Sequence, residues 1–456
     1  MKRTIFRQSS CTGLVALLAV VCLLPPAGGL FTACSDGDDR PQSVLLISID
    51  TLRADRLACY GYGRPTSPAI DALAAGGLLF ENCVAQSPWT LPSHAAMLTG
   101  RYPHKIGMVD DRRTLPVDTP TLASILDENR FITGAFVNSH YLQRKHGFDR
   151  GFLTFECVDN FEQNRGPEIT RKAIEWLDRY GDKSFFLFVH YYDVHSSYAP
   201  SIDYARRFTG TYDGPADGTT TQLLRARSGK IKLSEDDIAH VSNLYDAEIR
   251  QLDSEIGRLL AHLKSTGLDE KTLVVLSADH GEEFLEHGGL LHGRTFYNEV
   301  INVPLIMSGP GVAPGERAAG VSMLADIVPT VLGRLGIDRG GPFDGEDLFA
   351  GGKPDYDGEG KRFVLATADH NNQKPDIKRM VRNQRFKLHF NRLTGERELY
   401  DLVNDPAETH DLSAERARLA DEFLGELERL MEGTRSADRI APRSEAEKRA
   451  LEKLGY

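Results

Sequence analysis

Hydrophobic residues along the chain form short continuous runs that end in polar residues, a pattern typical of buried β-strands. Five runs have the length of a strand: Ser43–Ile49, Phe131–Val137, Phe185–His190, Thr272–Ser277 and Val303–Ser308. Between them, apolar residues recur every three or four positions, which predicts the amphipathic helices Ser67–Gly76, Thr119–Asn129, Glu168–Tyr180 and Asp237–Ser265. This alternation predicts an α/β fold with a doubly wound, mostly parallel sheet that is flanked by helices on both faces.

The pattern changes near residue 340. Residues 338–361 are rich in Gly, Asp and Pro, and the chain then contains short strand-like pieces and a charged helix, Phe363–Thr367, Phe386–Phe390, Glu398–Leu402 and Ser413–Met431. We therefore expect a large domain over residues 44–340 and a small C-terminal α+β subdomain over residues 341–456. The polar, glycine-rich segment 209–231 is predicted to be an excursion near the mouth of a site.

The N-terminus has the features of an export signal. Lys2, Arg3 and Arg7 precede the apolar run 13–24, which is too short to cross a bilayer comfortably. Small residues before Cys34 resemble a bacterial lipoprotein cleavage site. We predict a signal peptide of the lipoprotein type over residues 1–33 and a polar tether over residues 34–43. A lipid on Cys34 would be the only membrane attachment of a periplasmic or cell-surface protein, whereas an ordinary secretory signal is the alternative.

Composition narrows the class of protein. The 456 residues carry a formal net charge of −11, and the acidic chain has no basic tract, which argues against nucleic-acid binding. Its six cysteines are too few for a disulfide scaffold and include no CxxC pair of the zinc-finger type.

Polar residues follow three of the predicted strands. Asp50 follows the first strand, Asp193 and His195 follow the third, and Asp279 and His280 follow the fourth. Ligands of open α/β sheets bind outside the carboxyl ends of the strands. Carboxylates together with imidazoles suit a divalent cation, although a single aspartate in such a place is more often a helix cap.

A second candidate feature is the segment Ser87–Pro103. Its proline and alanines predict a helix that begins between Thr90 and Pro92, and the free N–H groups of that end favour an anion. A hydroxyl beside a metal ion can ionise and attack an ester, so Thr90 is a candidate nucleophile. The alternative is that Thr90 only caps the helix.

These segments resemble the sulfatase family, within the alkaline phosphatase superfamily. The resemblance covers residues 44–412 and is carried by residues 47–83, 91–103, 190–200, 277–288, 295–311 and 398–412. It implies an alkaline-phosphatase-like sheet, a smaller C-terminal sheet subdomain and a metal-centred site that hydrolyses sulfate or phosphate esters.

The resemblance assigns the metal ligands. Asp50, Asp279, His280 and the oxygen of Thr90 match metal-binding positions, whereas Thr51 stands where the family often has a second acid. This set fits Ca²⁺, Mn²⁺ or Zn²⁺ at one site. A second metal site formed by Asp193, His195 and His292 is a further possibility.

The resemblance also places Thr90 at the nucleophile position. Sulfatases have a Cys or Ser there that is oxidised to formylglycine, and the methyl group on the threonine β-carbon blocks that route. Thr90 therefore favours phosphoester or phosphonate chemistry. His94 replaces the family arginine, and Asn138 replaces the lysine that precedes His140.

Further roles follow for the polar residues around the nucleophile. His195 or His292 would protonate the leaving alcohol, His94 would hold anionic oxygens, and the substrate-binding residues would be Asn138, His140 and Arg294. A satisfied polar histidine is the alternative for His140 and the preferred interpretation of His287. Glu282, Glu283 and Glu286 are expected to form a solvated helix face. Arg101 and Lys105 either contact an anion or pair with acids.

Four functions remain open at the level of sequence. The first is an envelope hydrolase of phosphate or phosphonate esters, and the second is a sulfuric ester hydrolase of the arylsulfatase type. The third is a transferase of phosphorylated head groups, and the fourth is a catalytically inactive metal-binding lipoprotein. For the enzymes, the expected substrate is a small-molecule, glycan or lipid ester.

Overall fold

The computed structural model describes residues 40–110, 112–158, 164–338, 341–351, 354–355, 362–368 and 378–435. Within them, eight strands form the main sheet: β1 Ser43–Ile49, β2 Leu78–Val84, β3 Ile132–Val137, β4 Thr154–Cys157, β5 Phe185–Tyr191, β6 Thr272–Ala278, β9 Asn302–Ser308 and β10 Glu316–Met323. Their order across the sheet is β10-β2-β9-β6-β1-β5-β3-β4. Two short strands, β7 Glu283–Phe284 and β8 Leu290–Leu291, form a separate antiparallel pair.

Strand directions confirm the mostly parallel sheet. β1 pairs in parallel with both β5 and β6, and β3 pairs in parallel with β5 and β4. β9 is antiparallel to both of its neighbours, β6 and β2. Every residue of β1, β5 and β6 is buried, which explains why these strands are continuous apolar runs in the sequence.

Helices cover the sheet. The described helices are α1 Pro68–Ala75, α2 Thr90–Thr99, α3 Leu122–Glu128, α4 Gly166–Tyr180, α5 Ile202–Phe208, α6 Thr220–Arg227, α7 Glu235–Ser265, α8 Asn298–Ile301, α9 Ile327–Leu335 and α10 Ala417–Leu430. The longest, α7, begins after Ser234, whose side chain accepts from the amide of Asp237 in a capping box. The predicted segment 209–231 contains α6, so part of this polar stretch is helical.

The C-terminal part of the chain forms a second, smaller sheet. Its strands, β11 Val364–Thr367, β12 Lys378–Arg382, β13 Phe386–Asn391 and β14 Arg397–Asp401, pair in chain order and are all antiparallel. α10 packs against it through Phe423 and Leu427. The predicted α/β fold with a small C-terminal α+β subdomain is therefore confirmed.

Several strands were not predicted. β2 contains Glu81 and Asn82, β10 begins with Glu316 and Arg317, and β12 has three basic residues in five positions. The charged side chains of β2 and β10 are at least partly exposed at or near one edge of the main sheet. β12 carries basic residues although its Arg382 is buried, so none of the three strands has a continuous apolar pattern. Over the described residues, no helix combines the length and the apolarity needed to cross a membrane. The predicted signal peptide and Cys34 lie outside the described residues.

Candidate active site and metal centre

The candidate site lies at the carboxyl edge of four adjacent strands, β6, β1, β5 and β3. Asp50 follows β1, and its amide donates to the carbonyl of Tyr191 at the end of β5 (2.8 Å). Asn138 follows β3, and its amide donates to the carbonyl of His190 (3.2 Å). The order of the strands therefore places the separate polar endings of the sequence side by side.

Asp50, Asp279 and His280 form one buried cluster. Each offers a donor atom within 4.8 Å of the others, and all three side chains are inaccessible to solvent. Nε2 of His280 lies 3.4 Å from Oδ2 of Asp279 and 3.8 Å from Oδ1 of Asp50. Among the described residues, no other group of three such side chains comes this close together.

Thr90 completes this cluster. It is the first residue of α2, its hydroxyl lies 3.4 Å from Nε2 of His280, and the side chain is buried. The preceding residue, Trp89, occupies the cap position, and no side chain caps this helix. Thr90 is therefore not a helix cap, and its hydroxyl lies beside the carboxylates.

Three of the four carboxylate oxygens of Asp50 and Asp279 accept no hydrogen bond from the described residues. Neither oxygen of Asp50 nor Oδ2 of Asp279 has a hydrogen-bond partner among the described residues. Burial raises the pKa of Asp50 to about 7, and burial together with the charge of Asp50 raises the pKa of Asp279. Buried carboxylates are normally paired or bound to a metal ion, so these residues fit a divalent cation.

Thr51 does not supply the missing acid. It has a left-handed backbone (φ 54°), and its hydroxyl donates to the carbonyl of Val194 at 3.0 Å. Its amide donates to Oδ1 of Asp279 at 3.2 Å. Thr51 therefore positions Asp279 through its backbone, whereas its side chain is engaged elsewhere.

A layer of buried histidines lies behind the carboxylates. Nδ1 of His94 donates to the carbonyl of Thr90 (2.9 Å), and its Nε2 contacts the hydroxyl of Ser48 (2.9 Å). His190 contacts the same hydroxyl and lies 3.5 Å from Oδ2 of Asp50. Burial lowers the pKa of His94 to about 3 and that of His190 to about 4. His94 was expected to hold anionic oxygens; both of its ring nitrogens are instead bonded within the protein, where it supports Thr90.

The positions of Glu282 and Glu283 differ from the prediction. They were expected on a solvated helix face, but both are buried and Glu283 begins β7. Oε1 of Glu282 lies 2.9 Å from Nδ1 of His292, and its Oε2 accepts from the hydroxyl of Tyr198 at 2.8 Å. The third member, Glu286, pairs with Arg53 at 2.5 Å. An acidic run in the sequence carries no signal that distinguishes a buried orienting carboxylate from a solvated one.

His292 and His195 lie next to the cluster. The ring of His292 is 4.4 Å from that of His280 and 5.0 Å from that of His195, measured between centroids. Nδ1 of His195 donates to the carbonyl of Ser196 at 2.7 Å. Burial lowers the pKa of His195 to about 3, and burial together with the adjacent His280 lowers the pKa of His292.

The predicted second metal site would combine Asp193, His195 and His292. Oδ1 of Asp193 accepts from the amide of Gly166 at the start of α4 (2.7 Å), so this carboxylate serves the end of a helix. Asp193 joins no cluster with His195 and His292. These three residues therefore do not form a cluster of the kind that Asp50, Asp279 and His280 form, and a second ion stays a prediction.

The candidate substrate-binding residues lie in two segments, one after β3 and one after β8. Asn138 and His140 are buried after β3, and Nζ of Lys145 lies 2.8 Å from Nε2 of His140. Lys145 was missed because it lies outside the family motif. Arg294 is half-buried and forms no ion pair with any described residue.

Two other groups of charged residues are structural. Arg101 and Lys105 both pair with Asp344, at 2.9 and 2.8 Å, so they do not face an anion site. His287 pairs with Glu299 at 2.6 Å, as expected for a satisfied polar histidine.

Comparison with known proteins gives two family matches. Residues 42–337 match the model of the sulfatase family. Residues 286–435 match the C-terminal model named for N-sulphoglucosamine sulphohydrolase. The two matches together span most of the described residues.

Individual proteins and solved structures are also similar to this chain. An N-acetylglucosamine-6-O-sulfatase of Bacteroides thetaiotaomicron is 24% identical over 504 residues, which cover 89% of either chain. The solved structure of another protein, in complex with its substrate D-glucosamine-2-N,6-O-disulfate, is similar to this fold with a TM-score of 0.74 at 21% identity. The match covers 87% of this chain and 98% of that chain. A phosphonate monoester hydrolase of Agrobacterium radiobacter has a TM-score of 0.68 at 22% identity, over 86% of this chain and 95% of the other.

Proposed function

The chain belongs to the sulfatase family of ester hydrolases, and we propose that it is a metal-dependent hydrolase of phosphate or phosphonate esters with Thr90 as nucleophile. The observation that carries the proposal is the hydroxyl of Thr90 at the start of α2, 3.4 Å from His280, in a cluster where three carboxylate oxygens of Asp50 and Asp279 accept no hydrogen bond from the described residues. An alcohol in such a place is an activated nucleophile.

A threonine at position 90 favours phosphate esters over sulfate esters as the substrate. An aldehyde hydrate can expel sulfate through its second hydroxyl, but threonine has a methyl group on the β-carbon and forms no such aldehyde. A threonyl sulfate would therefore remain on the enzyme. A threonyl phosphate has an exit, because water can attack phosphorus directly. The resemblance of the fold to a phosphonate monoester hydrolase is consistent with this chemistry.

The residues present suit each step of such a reaction. A divalent cation held by Asp50, Asp279, His280 and Thr90 would lower the pKa of the hydroxyl and neutralise charge on the ester. The oxygen of Thr90 forms a bond to phosphorus while the bond from phosphorus to the alcohol oxygen breaks. Water then attacks phosphorus, the bond to Thr90 breaks, a proton of the water restores the hydroxyl of Thr90, and phosphate or phosphonate leaves.

Proton transfer falls to His292. Glu282 accepts the hydrogen bond from Nδ1 of its ring, so the proton that moves is carried on Nε2. Burial keeps His292 neutral before the reaction, and it must first take up a proton, which the hydroxyl of Thr90 supplies. His292 then passes that proton to the departing alcohol. His195, with its ring 5.0 Å away, lies beside this path.

Anionic oxygens of the ester would meet Asn138, His140 and Arg294. These groups come from two separate segments, since Asn138 and His140 follow β3 of the main sheet and Arg294 follows β8 of the separate pair β7-β8. Lys145 adds a cation next to His140. Its charge takes the place of the lysine that the sulfatase pattern has at position 138, and it favours an anionic substrate.

Sulfate ester hydrolysis is the second candidate function. The relatives reported above that carry a sulfatase name support it, and one of them acts on a 6-O-sulfated aminosugar by its name. A sulfatase reaction at Thr90 would need an exit for sulfate other than an aldehyde.

Turnover of matched p-nitrophenyl sulfate, phosphate, phosphodiester and phosphonate tests the proposal, in wild type and in Thr90→Ala. The matched control is Thr99→Ala, which removes a hydroxyl at the other end of the same helix. We expect phosphoester or phosphonate turnover that Thr90→Ala abolishes and Thr99→Ala retains. Sulfate turnover that depends on Thr90, without phosphoester turnover, would overturn the proposal in favour of a sulfatase.

We further propose that the enzyme is exported and anchored by a lipid on Cys34. Support comes from the signal-like N-terminus and the small residues before Cys34. Metabolic labelling with a fatty acid, in wild type and in Cys34→Ser, tests this proposal. We expect label and membrane association in the wild type alone, and an unlabelled wild type would contradict it.

A further inference from the structure

The donor atoms at the cluster are few and mixed. Asp50 offers two oxygens, Thr90 offers one, and Asp279 offers only Oδ2, because its Oδ1 already accepts from the amides of Thr51 and His280. His280 adds a nitrogen. The hydroxyl of Thr51 is bonded to Val194. Ca²⁺ in proteins takes about six to eight oxygen ligands, more than these side chains provide.

The orientation of His280 makes its nitrogen a ligand. Nδ1 lies 3.0 Å from the carbonyl of Gly281, and a carbonyl only accepts, so Nδ1 carries the proton. The lone pair is then on Nε2, which faces the carboxylates. A metal-binding histidine is typically held by such a hydrogen bond from its other nitrogen.

The turn that follows is rigid. The amide of Gly281 donates to the carbonyl of Val300, and a β-carbon at this position would lie 2.0 Å from the carbonyl oxygen of Glu299. Only glycine fits this approach. The imidazole of His280 is therefore fixed before any ion binds.

The spacing of the donors matches a small ion. Nε2 of His280 lies 3.4 Å from the hydroxyl of Thr90, 3.4 Å from Oδ2 of Asp279 and 3.8 Å from Oδ1 of Asp50. A tetrahedral cation with bonds of about 2.0–2.1 Å holds its ligand atoms roughly 3.3–3.4 Å apart. Two of the three distances have this value.

We propose that one oxygen of Asp50, the hydroxyl of Thr90, Oδ2 of Asp279 and Nε2 of His280 form a four-coordinate site that selects Zn²⁺-type transition cations over Ca²⁺. Imidazole is a good ligand for such cations, whereas Ca²⁺ prefers oxygen. The inference deepens the function proposed above and rests on the same cluster. Its test measures binding without turnover, so failure of the hydrolase proposal and failure of the metal preference can be told apart.

The experiment uses the full chain stripped of metal with a chelator. Zn²⁺, Co²⁺ and Ca²⁺ are each titrated alone, with calorimetry for affinity and visible absorption for Co²⁺. We expect Zn²⁺ to bind at least about 100-fold more tightly than Ca²⁺. Co²⁺ should show the intense visible bands of four-coordinate geometry. Ca²⁺ binding as tight as that of Zn²⁺, or the weak bands of six-coordinate Co²⁺, would overturn the proposal.

The variant His280→Asn replaces the nitrogen by an amide oxygen. We expect it to lose about 100-fold or more in affinity for Zn²⁺ and to change little for Ca²⁺. The matched control is His262→Asn, near the C-terminal end of α7, where the histidine lies 3.1 Å from Asp178. Unchanged Zn²⁺ affinity in folded His280→Asn would overturn the assignment, and the Co²⁺ spectrum of the wild type decides the geometry even if the variant does not fold.

Discussion

Asp50 and Asp326 are both completely buried, yet their surroundings differ. Asp326, next to the C-terminal subdomain, accepts two hydrogen bonds from Arg362, both 2.7 Å long. It also accepts from the amides of Met323 and Glu346, at 2.8 Å each. Asp50, at the carboxyl edge of the main sheet, accepts none from the described residues. The protein thus pairs the buried charge of Asp326 with its own groups, whereas the carboxylate of Asp50 stays available to a ligand.

The difference separates stability from function. A buried carboxylate without partners raises the free energy of the folded state, so it persists where binding or catalysis requires it. A fully paired one holds two segments together, here the start of α9 and Arg362, which precedes β11. Charge changes at the carboxyl edge should therefore alter chemistry, and the same changes near the C-terminal subdomain should alter stability.

The largest effect should come from Asp279→Asn at the carboxyl edge. The amide oxygen can still accept from Thr51 and His280, but the negative charge is lost. We expect turnover to fall at least about 1,000-fold, because several kcal/mol of charge stabilisation depend on the bound cation. Turnover and metal content measured together check this prediction. Full metal content with full turnover would remove Asp279 from the site.

The same substitution at Asp326 should act on stability instead. Asp326→Asn places an amide against the guanidinium of Arg362, whose side chain is 16% exposed. We expect a loss of about 3 kcal/mol in the free energy of unfolding, since breaking a buried pair leaves a charge without its partner. Turnover per folded molecule should not change.

Urea unfolding measures the effect, with Asp182→Asn as the matched control. Asp182 pairs with Lys183 on the surface, where both side chains are more than half exposed. Little change in the free energy of unfolding is expected for such an exposed residue. If the free energy of unfolding changed equally in Asp326→Asn and Asp182→Asn, the stabilising role assigned to Asp326 would be contradicted.

The sequence predicts the fold better than it predicts the site. Buried strands such as β1 and β5 are continuous apolar runs because both of their faces are covered, and the period of α7 follows from its packing. Asp50 and Asp279 are found by the same logic, since each ends such a strand. The role of Glu282 has no local signal, because its contact with His292 is made through a turn and depends on burial. Asp193 resembles a ligand by position but serves a helix end.

The difference between Asp50 and Asp326 can be measured further in protein stripped of metal. Burial raises the pKa of Asp50 to about 7 from 3.8, so the stabilising proton is fully bound below about pH 4 and is lost as the pH rises through 7. Asp50→Asn removes this loss of stability, because the amide does not ionise. We expect the variant to be more stable than wild type by about 1–3 kcal/mol at pH 8 and to differ little at pH 4.

Thermal unfolding with a chelator, at both pH values, checks this prediction. Saturating Zn²⁺ should reverse the order at pH 8, because the ion stabilises the wild-type carboxylate and binds the variant less well. An identical pH dependence for wild type and Asp50→Asn would show that Asp50 is not the uncompensated charge.

The smallest effect concerns His287, whose ring stacks on Tyr297 and whose Nε2 donates to the carbonyl of Ala407. Burial lowers its pKa, but the hydrogen bond to Glu299 outweighs burial and raises the pKa to about 8 from 6.5. The stabilising charge is therefore present below about pH 6.5 and is lost as the pH rises through 8. His287→Gln should be less stable than wild type by about 1 kcal/mol at pH 6, because a partly exposed pair is screened by water, and equal to it near pH 9.

Added metal distinguishes His287 from Asp50. Both groups lose stability as the pH rises, but Asp50 does so between about pH 4 and 7 and His287 between about pH 6.5 and 8. A bound cation should remove the first loss and leave the second unchanged, because Glu299 already completes the charge of His287. Thermal unfolding of His287→Gln and wild type with and without Zn²⁺ measures this, and a metal-dependent difference between them would mean that the two regions are coupled.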